Sequence, residues 1–147
     1  MRRRIALTAV LLAMLAVSGC TGYPAEPARP SDLFEAARQS DSAPEGFNDG
    51  LPRTSCGEVT LKLGEQLPAH AVDCMDSAIG RLDAELAVVS PTDEGDPIVA
   101  FYRTSADAPG VERFTDSEFD KYRSEIWSHE ACPATTTIRA LEGCSEG

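Results

Sequence analysis

Basic residues are scarce in this chain of 147 residues: 13 Lys and Arg face 24 Asp and Glu, for a formal net charge of −11. Such an acidic balance opposes binding to nucleic acid or to anionic lipid surfaces. Histidine is scarcer still, with only His70 and His129. Nucleophilic or acid–base catalysis holds a base, an orienting group and a stabiliser of developing charge in one site, and two isolated imidazoles offer little toward it. G-x-S-x-G, S-x-x-K and a Gly-rich phosphate loop after a strand are all missing, so acyl-enzyme and phosphate-loop chemistry have no visible home. His129-Glu130-Ala131-Cys132-Pro133 starts like the zinc-protease H-E-x-x-H, but Pro133 stands where the second histidine belongs. No internal repeat is apparent. The residues therefore predict no catalytic group, no metal ligand and no cofactor.

Long apolar runs are also missing, with one exception at the start. Arg2, Arg3 and Arg4 form a positive cap, Ile5 to Val17 follow as an apolar run, and Val17-Ser18-Gly19-Cys20 closes it. The run is shorter than the ~20 residues of a membrane span, which fits the core of a cleaved export signal. Its ending, a branched apolar residue, a small residue, Gly and Cys, resembles the lipobox of bacterial lipoproteins. The resemblance covers the signal alone. It implies cleavage between Gly19 and Cys20, a diacylglyceryl thioether on Cys20, often with a further acyl chain such as palmitate on the new N-terminus, and an address on the extracytoplasmic face of the cell membrane. Removing Arg2, Arg3 and Arg4 takes the net charge from −11 to −14, so membrane attachment must come from the lipid and not from a basic face.

The five cysteines are Cys20, Cys56, Cys74, Cys132 and Cys144. With Cys20 lipidated, four remain for two disulfides, which persist outside the cytoplasm and typically contribute ~2–4 kcal/mol each. Of the three connectivities, Cys56–Cys74 with Cys132–Cys144 is favoured, because a strand followed by a returning helix brings the first pair together. The second pair requires a chain reversal within 133–143.

Residues 1–19 thus read as the signal, and 20–55 as the lipidated Cys followed by a disordered tether punctuated by Pro24, Pro27, Pro30, Pro44 and Pro52. Within the tether, Ser31 to Arg38 suits two helical turns behind a Ser or Asp cap. Residues 56–147 form a small acidic domain. In it, Val59, Leu61 and Leu63 alternate as in a strand, and Leu67, Ala71, Cys74, Met75, Ala78, Ile79 and Leu82 share one helical stripe. Ala84 to Ser90 and Pro97 to Thr104 flank an acidic turn and predict a hairpin, with Val111 to Thr115 as the next strand. Asp116 to Ser128 fits either helix or strand, His129 lies in a loop or short helix, and the β-branched Thr135 to Leu141 predicts a closing strand. The expected fold is α+β: one helix packed on a four- to five-stranded antiparallel sheet with two disulfides.

Two acidic clusters, Asp93 to Asp96 and Asp116 to Asp120, have the carboxylates of a Ca²⁺ site without the EF-hand spacing, and read as turn chemistry. Phe114, Phe119, Tyr122 and Trp127 read as core, with a pocket or partner surface as the other option. Together these features lead to the expectation of a membrane-anchored cell-envelope lipoprotein whose domain is a non-enzymatic binding or interaction module for a protein or envelope ligand. The alternative is a small extracytoplasmic hydrolase or metal-dependent enzyme with a site assembled from dispersed His and carboxylate residues.

Overall fold

Both faces of one strand, β2 (Ala84–Pro91), are buried: Leu86 and Val88 point to one side, Ala87 and Val89 to the other. A strand covered on both faces reads as an unbroken apolar run, and Leu86-Ala87-Val88-Val89 is one. The computed structural model describes residues 29–50 and 52–147; the signal 1–19, Cys20 and the following stretch to residue 28 lie outside the described residues.

Six strands form one sheet in sequence order: β1 (Thr54–Thr60), β2, β3 (Pro97–Thr104), β4 (Val111–Asp116), β5 (Trp127–Cys132) and the two-residue β6 (Ser145–Glu146). The fold is α+β, as expected, but the described residues form six strands and two short helices, and the sheet is mixed. β1 and β2 are parallel and the other pairs antiparallel. The cause is α2 (Ala69–Ala78), whose crossover returns the chain to the starting end of β1 before β2 begins. α2 buries Ala71, Val72, Met75 and Ala78 against Leu86 and Val88, and two residues past its end Gly80, with a φ of 65°, reverses the chain. A register shift between Ser55 and Gly57 leaves both Cys56 and Val59 against this helix.

The opposite face holds a second core, covered by residues expected to be a disordered tether. This corrects the reading of 20–55 over its described part. α1 (Leu33–Arg38) is capped by Asp32, whose carboxylate accepts from the Glu35 amide at 3.0 Å. After it, Phe47 is 1 % exposed, with its ring 4.9, 5.4 and 4.7 Å from those of Phe101, Phe114 and Trp127. Composition marked this stretch as too polar to order itself, yet Ala37 and Phe47 are buried against the aromatic face, and Leu33, Phe34 and Ala43 pack around them.

Two further expectations fail. Thr135–Leu141 is not a closing strand: a single bridge, Thr137 to Ala140, is its only pairing. Its β-branched residues serve a chain reversal instead, with Ile138 plugged into the α2 core and its amide donating to Asp76 Oδ1 at 2.8 Å. The strand that follows β4 lies earlier, in β5, which takes in His129, expected in a loop or short helix, and is itself flanked by β6. The ambiguous stretch before it is a loop closed by the Ser117 amide on the Ile126 carbonyl at 2.7 Å.

Both disulfides have the favoured connectivity, Cys56–Cys74 and Cys132–Cys144, with Cα atoms 5.6 and 4.0 Å apart. The first clamps β1 to α2. The second closes the 133–143 reversal, inside which the Glu142 amide donates to Thr135 Oγ1 at 2.8 Å.

Candidate functional site

Arg103 on β3 is 6 % exposed and faces the aromatic core. Its guanidinium donates to Glu85 Oε2 through Nε and Nη2, both at 2.8 Å, and to the Phe47 carbonyl through Nη1 at 2.7 Å. The second Glu85 oxygen accepts from Arg38 Nη2 at 3.2 Å, and Arg38 Nη1 reaches Glu58 at 2.7 Å. Burial lowers the pKa of Arg103, an effect that Glu85 offsets only in part. Burial also works against the Arg38 charge, but there Glu58 and Glu85 outweigh it and hold the pKa above the ordinary value. Both guanidiniums stay charged at neutral pH.

The third arginine of this group is different. Arg53, one residue before β1, makes no ion pair and no hydrogen bond among the described residues, and its Nε is buried without a partner. An unpaired buried donor costs roughly 1–3 kcal/mol. Arg53 sits where two depressions meet. A polar pocket of about 260 Å³ is lined by Arg38, Arg53 and Arg103 with Asn48, Ser55 and Glu85. A larger cleft of about 480 Å³ runs along the same end of the sheet, walled by Arg53, Thr104, Ala108, Pro109, Val111 and Pro133 among others. Gly110 closes its floor with φ 81°, and a β-carbon there would overlap the Cys132 carbonyl and Pro133. The Cys132–Cys144 bond fixes that wall.

The residues singled out by sequence fall elsewhere. His70 is exposed on α2. His129 lies on β5 on the aromatic face, stacked on Phe114 with centroids 4.1 Å apart, its Nε2 buried and 3.7 Å from Glu112 Oε1, beyond hydrogen-bonding reach. The histidines do not meet, and Cys132 is in a disulfide, so the His129–Cys132 pairing offers no thiolate. Among the described residues, no group of three or more His, Cys, Asp or Glu is placed to hold a metal ion. Both acidic clusters act within the protein. Asp96, nearly buried, pairs with Arg29 at 3.5 Å and Lys121 at 3.7 Å. Asp116 Oδ1 accepts the Glu118 amide at 2.8 Å, while burial raises the pKa of its carboxyl. Of the aromatic group, Phe114 and Trp127 are core, Phe119 is half-buried and Tyr122 is 77 % exposed.

Sequence reasoning overlooked Arg53 because Pro52-Arg53-Thr54 has no local signature. The one usable signal was the scarcity of cations, which makes three converging arginines a departure from the rest of the chain.

Among the described residues no helix is long and apolar enough to cross a membrane. No protein-family model, no curated protein and no solved structure matches the chain.

Proposed function

We propose that the protein is a lipid-anchored lipoprotein of the bacterial cell envelope, held by Cys20 on the extracytoplasmic face, and that its domain is a non-enzymatic binding module whose site is the cleft beside Arg53. The observation that carries the binding reading is the open 480 Å³ cleft, of a size suited to a small ligand or a short extended segment, with an unpartnered arginine at its end. The two disulfides support an oxidising compartment, and the lipobox resemblance supports the anchor. The chain between Cys20 and Arg29 reaches at most ~30 Å even fully extended, so the module works close to the bilayer.

Two experiments test this. Cys20→Ala should abolish acyl labelling and release the protein from the membrane fraction or leave it unprocessed; normal processing and retention would end the lipoprotein reading. A photo-reactive residue at Ala108, in the cleft, should give a specific adduct in intact cells, while one at Leu63, exposed in the loop after β1, should not. Adducts from neither position, or equally from both, would remove the cleft as the site.

A further inference from the structure

The polar pocket is at odds with the chain around it. The protein carries a net charge of −11, yet three guanidiniums line this pocket against the carboxylates of Glu85 and Asp49. Glu85 is already consumed: one oxygen holds Arg38 and the other Arg103. Arg38 is further matched by Glu58, and Asp49 stands exposed at the rim. The guanidinium without an ion pair among the described residues is that of Arg53, whose N–H donors are unused there. The Ser55 hydroxyl and the Asn48 amide line the same space and bring donors from other directions.

Donor number and direction decide the ligand class. A carboxylate is planar and one guanidinium fork satisfies it, whereas a phosphoryl group presents three oxygens tetrahedrally and is matched by donors converging from several sides. The pocket is the second kind. It also opens, across Arg53 and Arg103, into the cleft walled by Ala108, Pro109 and Val111.

We propose that the pocket binds a phosphoryl group through Arg53, carried by a small organic molecule whose remaining part lies in the adjoining cleft. This deepens the binding reading above and rests on it. Arg38 and Arg103 supply the surrounding field and are held in place by Glu85, and Ser55 and Asn48 orient the remaining oxygens. No bond is made or broken.

The test uses the lipidated full chain in zwitterionic vesicles, with phosphorus NMR following three probes in turn: inorganic phosphate, phenyl phosphate, and a lipid with a phosphomonoester headgroup added to the vesicles. Phenyl phosphate should bind saturably and more tightly than inorganic phosphate. Arg53→Gln should weaken binding about tenfold or more, and Arg53→Lys, which keeps the charge and loses the fork, should lie between them. Arg53 lies outside both cores and its buried Nε has no partner among the described residues, so the thermal unfolding midpoints of the variants should not fall below that of the wild type. Unchanged phenyl phosphate affinity in Arg53→Gln, or no binding of either soluble phosphate, would overturn the proposal. Arg53-dependent binding to the lipid probe alone would overturn its small-molecule part and assign the phosphoryl group to a headgroup. Photo-adducts at Ala108 separate the two failures: adducts without phosphate binding retire this ligand and keep the cleft, and loss of both retires the cleft as well.

Discussion

Arg103 holds Phe47 twice, with its guanidinium carbon 4.3 Å from the centre of the Phe47 ring and its Nη1 donating to the Phe47 carbonyl at 2.7 Å. The cation–π contact and the charge-assisted hydrogen bond pull on the same residue. Through them a strand in the middle of the sheet fastens a segment whose composition alone gives it no reason to be ordered. The same guanidinium lines the polar pocket, so the segment's docking and the shape of the candidate site are one structural fact.

Phe47→Ala should therefore behave as a core truncation and not as a change in a linker. Phe47 touches three aromatic rings, and its removal should cost ~3–5 kcal/mol. Denaturant unfolding read by Trp127 fluorescence checks it. A loss under ~1 kcal/mol would mean that residues 29–50 are not part of the cooperative unit.

Glu85→Gln removes the shared charge between Arg38 and Arg103 while keeping the shape. With two guanidiniums left facing each other and one of them buried, stability should fall by roughly 3–5 kcal/mol. The double variant Glu85→Gln with Arg103→Met should recover part of that loss, because it also removes the buried charge. No recovery would show that Arg103 stabilises through its contacts with Phe47 and not through its pairing with Glu85.

The Asp116 carboxyl is 1 % exposed, its Oδ2 is without a partner, and burial raises its pKa. A carboxyl whose folded pKa lies above its unfolded value binds protons more tightly when folded, so its contribution favours the fold at low pH and is lost as pH rises through the folded pKa. Asp116→Asn keeps the Oδ1 acceptor for the Glu118 amide and removes the charge. The variant should gain stability relative to wild type as pH rises from the ordinary carboxylate range toward neutrality. Urea midpoints for both proteins at acidic and neutral pH measure this; a difference constant with pH would contradict it.

Removing Cys56–Cys74, which closes a separation of 18 residues, should cost ~2–4 kcal/mol. Removing Cys132–Cys144, with a separation of 12, should cost slightly less in stability but loosen the cleft wall at Pro133. Native-state hydrogen exchange of the Cys132–Val111 pairing distinguishes the two effects. Full protection there in the second variant would detach the disulfide from the cleft.

Local pattern by itself determined much of this protein. The hairpin of β2 and β3, the strand β4, the helix with Cys74 toward the core and the pairing of the four cysteines all depend on residues close in sequence, whose apolar spacing and turn residues agree with each other. Tertiary structure decided the rest. The polar stretch around Phe47 is ordered because Phe101, Phe114 and Trp127, brought together from three strands, present it with an apolar face that no window of the sequence contains. Thr135 to Leu141 has the composition of a strand and lacks a place in the sheet, since β5 holds the site beside β4 and the Cys132–Cys144 bond folds the chain back. The site belongs wholly to this second class: Arg38, Arg53 and Arg103 are unremarkable in sequence, and the docking of α1 on the sheet together with the pairing of β1, β2 and β3 gathers them around one pocket, where Arg53 makes no ion pair among the described residues.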